Sequence, residues 1–334
     1  MVRVAVSLGD PSGIGPEVTA TALAALRGKL VPFVFGDASF ARQLRSAGLA
    51  LPSCDPGDPM PPGGALVRVS RLAPADRRPG RPGRRGGAAQ LRYLESAFAA
   101  VAAGEADALC TAPVSKAQVQ TALPGFVGHT EWLEARGHGA RSVMMLAGRR
   151  LRVALVTNHV SLRGMLRRLT PARIAETVAV TADGLARDLG IDRPRVAVAG
   201  LNPHAGEGGA FGEEEARIVA PAVADARRQG IDASGPFPPD SIFFRAALGE
   251  FDAVVALYHD QGLIPVKLLD ALLGETAVNV TLGLPFVRTS PDHGVAYDLA
   301  GTGRASDRSM RAALRLAASV ARRRLARGLG VPAR

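Results

Sequence analysis

Short apolar segments alternate with helical patterns along the chain, and this alternation limits the fold more than any other feature of the sequence. Strands that alternate with helices usually pair in parallel and are covered by helices on their faces. We therefore predict an α/β protein with largely parallel sheets. The apolar segments lie at 2–6, 31–35, 65–69, 108–111, 142–147, 151–157, 196–201 and 253–258. The clearest helical patterns lie at 88–103, 172–189, 213–229 and 306–327.

Polar side chains capable of chemistry follow four of these apolar segments. In open α/β sheets ligands bind at the carboxyl ends of the strands, so residues placed there are candidates for a site. Four such endings in one chain predict that a ligand binds where they meet. The residues concerned are Thr111, Asn158 with His159, Asn202 with His204, and His259 with Asp260.

Three of the six histidines, His159, His204 and His259, share one context, an apolar strand followed by a polar turn. A single histidine at a strand end is usually a hydrogen-bonded structural residue. Three in the same context favour a shared role. Neutral imidazoles bind Zn²⁺, Co²⁺, Ni²⁺ or Mn²⁺, and three protein ligands leave positions open for substrate oxygens.

An anion site is indicated by the segment GHTE, in which His129 and Thr130 precede a predicted helix. The N-terminus of a helix favours phosphate or carboxylate, although an ordinary cap in which Glu131 serves the dipole explains the pattern equally well. The segment TAPVSK adds hydroxyl groups and Lys116, one of only three lysines in a chain whose usual cation is arginine. A lysine kept in such a chain favours a role for a compact ammonium group.

The net charge of +11 raises the question of nucleic-acid binding. The basic residues cluster at 77–85, a Pro/Gly-rich stretch, and at 322–327, and neither cluster carries the interleaved aromatic side chains that stack on bases. We therefore interpret them as a solvated, arginine-rich surface and expect no nucleic-acid or membrane partner. No apolar run approaches the ~20 residues of a membrane span, and a cytoplasmic protein is expected.

Across nearly its whole length the sequence resembles the 4-hydroxythreonine-4-phosphate dehydrogenase family of vitamin B6 biosynthesis. The resemblance implies an isocitrate/isopropylmalate dehydrogenase-like fold, with two α/β/α lobes, that binds NAD or NADP without the glycine fingerprint GxGxxG. It implies a cofactor-side domain of 1–128 plus 280–334, a second domain of 129–279 with metal and dimer contacts, and a cleft between them. The matching segments are GDPSGIGPE, TAPVSK, GHTE, NPHAGEGG, GPFPPDSIF, YHDQG, VNVTLGLPFVRTSPDHG and DLAGTGRA.

The resemblance also assigns residues to roles. A divalent metal (Zn, Mg, Co or Mn) would be held by His159 and His204 of one subunit with His259 of the other, so that a homodimer is required. The implied substrate contacts are His129, Thr130, Lys267, Asn279 and Arg288. The implied cofactor contacts are Gly13, Asp292, His293, Gly294, Asp298 and Gly301.

The implied reaction is oxidation of the secondary alcohol of 4-phosphohydroxy-L-threonine. The metal would lower the pKa of that hydroxyl, and either Asp260 or Lys267 would take the proton as hydride leaves for the nicotinamide. The product, 2-amino-3-oxo-4-phosphooxybutanoate, would lose CO₂ to give 3-amino-2-oxopropyl phosphate. Three alternatives stay open: a related dehydrogenase of phosphorylated threonate or erythronate or of an aromatic-acid cis-dihydrodiol, a metal-dependent phosphohydrolase, and a nucleic-acid-binding protein.

Overall fold

The computed structural model describes residues 1–137 and 141–330. The α/β class predicted from the sequence is confirmed, and most predicted strands and helices are present with ends shifted by a few residues. The strands described, in chain order, are β1 (Arg3–Ser7), β2 (Val31–Asp37), β3 (Ser53–Cys54), β4 (Ala65–Ser70), β5 (Ala108–Thr111), β6 (Val143–Ala147), β7 (Arg152–Leu155), β8 (Val196–Ala199), β9 (Ala233–Phe237), β10 (Ala253–Ala256), β11 (Val278–Leu282) and β12 (Val287–Pro291).

Helices connect most of these strands. Among the residues described, no helix is both long enough and apolar enough to cross a membrane. The α-helices, in chain order, are α1 (Gly15–Ala25), α2 (Phe40–Ser46), α3 (Arg84–Ala102), α4 (Lys116–Gln120), α5 (His129–Glu134), α6 (Leu162–Arg168), α7 (Pro171–Gly184), α8 (Ala220–Arg228), α9 (Ile242–Ala247), α10 (His259–Leu273) and α11 (Arg308–Ala326). Wider helical turns at Leu185–Leu189 and Glu215–Val219 extend α7 and precede α8.

The chain forms two compact units. The first comprises the described residues of Met1–Gly139 and Pro285–Arg334, and the second those of Ala140–Leu284. The sequence placed these boundaries at 128/129 and 279/280. His129 and Thr130 therefore belong to the first unit rather than the second, because α5 packs there through an edge-to-face contact between Trp132 and Phe98 on α3.

In the first unit the strand order is β3-β4-β2-β1-β5-β12, and all neighbours are parallel. The chain runs outward from β1 through β2 and β4, and then returns to place β5 on the opposite side of β1. This reversal of direction opens a crevice at the carboxyl ends of β1 and β5, the place where open α/β sheets bind ligands. The turn after β1 carries GDPSGIGPE, and the turn after β5 carries TAPVSK.

In the second unit the strand order is β11-β6-β7-β10-β8-β9. Strands β7, β10, β8 and β9 are parallel neighbours, whereas β6 is antiparallel to both β7 and β11. The sheet is therefore mixed, because β6 and β7 form a hairpin in which the amide of Gly148 donates to the carbonyl of Leu151 at 3.0 Å. The core of this unit includes Leu146, Val153 and Val254, all fully buried.

Helix α10 is the main element that the sequence analysis did not predict. The residues from His259 onward were interpreted as a polar turn after a strand, whereas the helix starts at His259 and continues through Pro265 to Leu273. Its apolar side chains occur both on the buried side, at Leu263 and Val266, and on the exposed side, so the sequence shows no clean helical period.

Candidate active site

Three neighbouring parallel strands of the second unit, β7, β10 and β8, end at one edge of the sheet, and each is followed by a histidine. His159 lies four residues beyond the end of β7, His204 lies five residues beyond β8, and His259 opens α10 just after β10. Three of the four strand ends predicted to carry a site therefore lie at one edge of this sheet, whereas the fourth, with Thr111, belongs to the first unit.

The rings of His159 and His259 lie beside each other, with centroids 5.5 Å apart and planes inclined by 43°. His259 Nδ1 is 2.6 Å from a carboxylate oxygen of the exposed Asp260. A neutral ring that donates from Nδ1 to this carboxylate leaves the lone pair of Nε2 available. This arrangement resembles that of metal-ligating histidines, which commonly donate their second ring N–H to a carboxylate.

His204 lies in a tight left-handed turn, and its nearest aromatic neighbour is Phe211, with centroids 6.2 Å apart. In residues 1–137 and 141–330 of one chain, no three His, Cys, Asp or Glu side chains are placed to hold a single metal ion. The resemblance pairs His159 with His204 within a subunit, but the ring beside His159 here is that of His259. The division of the three ligands between subunits stays a prediction.

A cationic cluster occupies the first unit beside the carboxyl end of β5. Arg288, only 2% exposed, donates from Nη2 to the hydroxyl of Thr111 at 2.8 Å. Burial lowers the pKa of Arg288 to about 10, so the guanidinium is charged at neutral pH. A buried cation of this kind favours an anionic ligand, which would compensate its desolvation.

His129 belongs to the same cluster. Desolvation of its ring, together with the positive charges of Arg288 and Lys116, holds the pKa of His129 well below its usual value. The ring is therefore neutral at pH 7, and its enclosed Nε2 has no hydrogen-bond partner among the described residues. A neutral imidazole next to two cations offers a ligand a hydrogen bond in addition to positive charge.

Gly128 explains how Lys116 and Glu131 approach this cluster. A Cβ on Gly128 would lie 2.8 Å from Glu131 Oε2 and 3.8 Å from Lys116 Nζ, so a larger residue would displace the carboxylate. Helix α5 begins directly after this glycine, and His129 and Thr130 are its first two residues, whereas the sequence pattern places them just before the helix. Thr130 is half-buried at this helix start.

The other two predicted substrate contacts lie in the second unit. Asn279 is on β11, where its Oδ1 is enclosed without a hydrogen-bond partner among the described residues. Lys267 is exposed on α10, seven residues after Asp260. Seven residues are two helical turns, or roughly 10 Å along the axis, and this places Lys267 and Asp260 on the same side of α10.

The predicted cofactor segment, residues 292–301, is fastened to the turn after β1. The amide of Ile14 donates to the carbonyl of Val295 at 2.9 Å, and the amide of Gly301 donates to Glu17 Oε2 at 3.1 Å. A Cβ on Gly13 would lie 2.9 Å from the Val295 carbonyl oxygen, so only glycine allows this close approach. The structure thus brings Gly13 and the 292–301 segment together within the first unit.

A pair of side chains that the sequence analysis missed completes this attachment. The hydroxyl of Tyr297 donates to Asp10 Oδ2 at 2.6 Å, and the amide of Ser12 donates to Asp10 Oδ1 at 2.8 Å. Burial raises the pKa of Asp10 despite these two bonds. No signal in the sequence indicates this contact, since no spacing rule connects residues so far apart.

The remaining predicted cofactor residues are arranged along the same segment. The amide of Asp292 donates to Ser309 Oγ at 3.1 Å, and His293 Nδ1 lies 3.0 Å from the carbonyl of Gly294. Gly294 and Asp298 are exposed. None of these four residues lines the nearby pocket described next, and the enclosed Nε2 of His293 has no hydrogen-bond partner among the described residues.

A pocket of about 120 Å³ lies between the start of α1 and the start of α2. Gly13 and Gly301 line it, together with Glu17, Asp37 and Arg77. Arg77 comes from the arginine-rich stretch that we interpreted as solvated surface. At least this arginine is partly buried, and its Nε donates to the carbonyl of Leu72 at 3.2 Å.

The family model described as pyridoxal phosphate biosynthetic protein PdxA matches residues 29–317, well over half of the chain. The chain belongs to the PdxA family. The 4-hydroxythreonine-4-phosphate dehydrogenase of Geobacter metallireducens is 48% identical over 96% of both chains. The enzyme of the same name from Desulfosudis oleivorans is 45% identical over 94% of both chains. The family resemblance drawn from the motifs is thereby confirmed.

Solved structures give the same assignment. The 4-hydroxythreonine-4-phosphate dehydrogenase of Klebsiella pneumoniae is 40% identical, with a TM-score of 0.80 over 96% of this chain and 100% of that chain. A terephthalate 1,2-cis-dihydrodiol dehydrogenase of Burkholderia xenovorans is 29% identical, with a TM-score of 0.66 over 95% and 98%. PdxA-like folds therefore also occur in a dihydrodiol dehydrogenase.

Proposed function

We propose that this PdxA-family chain oxidises 4-phosphohydroxy-L-threonine with NAD⁺ or NADP⁺ in a metal-dependent reaction. The product would be 2-amino-3-oxo-4-phosphooxybutanoate, which loses CO₂ to give 3-amino-2-oxopropyl phosphate. The observation that carries this proposal is the buried guanidinium of Arg288, held by Thr111 beside the neutral ring of His129. Such a cluster is suited to a doubly charged phosphate group.

The substrate's anionic groups would be held by several residues of this cluster. Arg288 supplies a planar donor that can make two parallel bonds to phosphate or carboxylate oxygens, and Lys116 adds a second positive charge. His129 and Thr130 contribute a ring nitrogen and a hydroxyl at the start of α5. The family resemblance assigns further substrate contacts to Lys267 and Asn279.

The histidines fit a divalent ion. Two imidazoles that share one tetrahedral ion, each at about 2.1 Å, place their ring centres roughly 5 Å apart. The ring centroids of His159 and His259 are 5.5 Å apart, which agrees with this separation. Because Nδ1 of His259 is bonded to Asp260, Nε2 is the nitrogen left to bind the ion. His204 is the proposed third ligand. When bound, such an ion would supply Lewis-acid chemistry that lowers the pKa of a substrate hydroxyl, and NAD⁺ or NADP⁺ would serve as the hydride acceptor.

The proton must then pass to a side chain. Asp260 and Lys267 are the two candidates, and Asp260 is already engaged with His259 Nδ1. We therefore propose that Asp260 orients the His259 ring and that Lys267, on the same side of α10, accepts the proton.

The cofactor would lie along residues 292–301. This segment is held to the turn after β1 by the main-chain bond from Ile14 to Val295, and to α1 by the bond from the Gly301 amide to the Glu17 carboxylate. The pocket lined by Gly13 and Gly301 is large enough for one ribose or phosphate group but not for a whole dinucleotide. The proposal therefore assigns it only one part of the cofactor.

A second copy of the chain would complete the protein. Helix α10 exposes Ile264, Leu268 and Leu272, four residues apart, at 66%, 59% and 74% of their surface. A stripe of large apolar side chains at this spacing favours coverage by another protein surface. We propose a homodimer in which these residues are covered and the three histidines come from both copies.

The test is the reduction of NAD⁺ or NADP⁺ by 4-phosphohydroxy-L-threonine, followed by absorbance with metal-reconstituted protein. His204→Ala is assayed in parallel and is expected to lose activity. Turnover of threonate phosphate or of an aromatic cis-dihydrodiol instead would move the protein to a related substrate. A failure with all of these substrates, together with metal-dependent phosphate release, would favour a phosphohydrolase.

A further inference from the structure

Buried polar side chains join the ends of the three strands that carry the histidines. Gln261, 7% exposed on α10, makes two of these bonds. Its Oε1 accepts from the amide of Leu257 at 2.7 Å, and its Nε2 donates to the carbonyl of Gly200 at 2.7 Å. Because Leu257 follows β10 and Gly200 follows β8, this one side chain ties the two strand ends together.

Thr157 makes the corresponding bond on the other side of β10. Its hydroxyl donates to the carbonyl of Leu257 at 2.8 Å, and the side chain is 1% exposed. Thr157 follows β7 and precedes His159 by two residues. Both main-chain groups of Leu257 are therefore bonded to side chains, one from the end of β7 and one from α10.

Glu215 holds the loop that carries His204. Its Oε1 accepts from the amides of Leu201 and Asn202, both at 2.7 Å, and its Oε2 accepts from Asn202 Nδ2 at 2.9 Å. Although burial raises the pKa of Glu215, the bonds from Asn202 and Leu201 outweigh it, so the carboxylate stays ionised. Glu215 is 5% exposed, and all of these contacts come from neutral N–H groups.

The loop held by Glu215 has an unfavourable backbone. Five consecutive residues from His204 to Gly208 have positive φ, and three of them, His204, Ala205 and Glu207, are not glycine. Left-handed conformations are costly for residues with a Cβ and persist only where the surroundings impose them, commonly at functional sites. Glu215 supplies such surroundings by fixing the two residues that enter the turn.

We propose that Thr157, Gln261 and Glu215 are positioning residues, which fix the segments of each chain that carry His159, His259 and His204 so that the rings can reach a divalent ion shared by two copies. This inference rests on the proposed metal site. Metal–nitrogen bonds tolerate only about 0.2 Å of error, and each histidine sits within a few residues of a strand end tied by these bonds. Loss of one of these hydrogen bonds would let a histidine move away from the ion while all three histidines remain present.

Two pairs of variants separate positioning from simple folding. Glu215→Gln removes the charge and one acceptor. Glu213→Gln is its control, since the Glu213 side chain is 71% exposed and its Oε2 lies 3.6 Å from Arg217 Nη1 in a surface ion pair. Thr157→Val removes the hydroxyl with little change in shape, and Thr157→Ser restores the hydroxyl. Gln261→Glu replaces the side-chain nitrogen that donates to the Gly200 carbonyl with an oxygen. This variant tests the hydrogen bond that joins α10 to the end of β8.

The measurements are Co²⁺ affinity, by competition with a coloured chelator, the visible spectrum of bound Co²⁺, and thermal unfolding of the metal-free protein. Glu215→Gln, Thr157→Val and Gln261→Glu are expected to bind Co²⁺ 10–100-fold more weakly and to alter its spectrum, the usual effect of losing a bond behind a metal ligand. Glu213→Gln and Thr157→Ser should match the parent protein.

Parent-like Co²⁺ affinity and spectra in the three variants, at temperatures where they are folded, would overturn the inference and leave the proposed function intact. A parent protein that binds no divalent ion would overturn the inference and the metal site together. Weakened Co²⁺ binding in the variants of a protein that reduces no nicotinamide would support the inference while the proposed function fails.

Discussion

The hydroxyl of Tyr297 donates a 2.6 Å hydrogen bond to Asp10, a residue 287 positions earlier in the chain. The bond joins the turn after the first strand to the segment proposed to hold the cofactor. Because Asp10 is 1% exposed, its second oxygen has no access to solvent if the tyrosine hydroxyl is removed. The segment and the turn are thus coupled through one buried carboxylate.

Tyr297→Phe is expected to lower the free energy of unfolding by about 1–3 kcal/mol, because it leaves a buried acceptor unsatisfied. We also expect a several-fold increase in KM for NAD⁺ or NADP⁺ with little change in KM for the substrate. Urea unfolding and steady-state kinetics measure the two effects. Thr302→Ala removes an exposed hydroxyl from the neighbouring turn and should change neither. Equal increases in both KM values would contradict a role specific to the cofactor segment.

Arg288→Met is expected to raise KM for a phosphorylated substrate roughly 10–100-fold, as for loss of a charge-assisted hydrogen bond of about 1.5–3 kcal/mol. Arg288→Lys keeps the charge but not the planar donor pair and should recover part of the loss. Kinetics with the two variants and with Arg42→Met, an exposed arginine on α2, provide the comparison. An unchanged KM in Arg288→Met would remove this guanidinium from the substrate site.

The neutral state of His129 predicts a pH dependence of stability. The pKa of His129 is lower in the folded protein than in the unfolded chain, where it is about 6.5. Between these two pKa values the unfolded chain binds a proton at His129 and the native state does not. The stabilising contribution is therefore complete above about pH 6.5 and is lost as pH falls through the folded pKa. The loss is at most about 1.4 kcal/mol for each pH unit.

Urea unfolding of the parent protein and of His129→Gln, near neutral pH and at about one unit below 6.5, isolates this contribution. The parent should lose more stability on acidification than the variant. Equal losses in the two proteins would mean that His129 titrates normally in the folded state.

Subunit mixing tests how the histidines are shared. If His159 and His259 of one chain act with His204 of its partner, mixing His204→Ala with His259→Ala restores an intact site in the mixed dimer. Mixing His159→Ala with His259→Ala would then restore nothing. Recovery in both mixtures would instead favour the division implied by the family resemblance, and recovery in neither would place the whole site within one chain. Activity and Co²⁺ binding after subunit exchange are the measurements.

The sequence was most informative where function depends on strand ends. Thr111, His159 and His259 could be placed because an apolar run followed by a polar residue is a local pattern, and parallel pairing carries such residues to one edge. The position of α5 was also predicted approximately, from His129 and Thr130 just before a helical segment, although the helix includes both residues. The family motifs then assigned roles that no local pattern carries.

Other features required long-range contacts. Helix α10 was missed because its exposed apolar stripe obscures the helical period, and the left-handed turn at His204 follows from no propensity, since three of its residues disfavour it. Glu215 was one acidic residue among several in its segment until the fold buried it against the amides of Leu201 and Asn202.

The amino-acid sequence by itself determined the α/β class, the order of strands and helices, the family, and the side chains available at each strand end. These follow from periodicity, chain connectivity and short motifs, which are local properties. The tertiary structure decided which of those side chains meet: His159 with His259, Arg288 with Thr111, and Tyr297 with Asp10. Such pairings depend on how strands order themselves within a sheet and on which groups lose water, and both arise only when the chain packs.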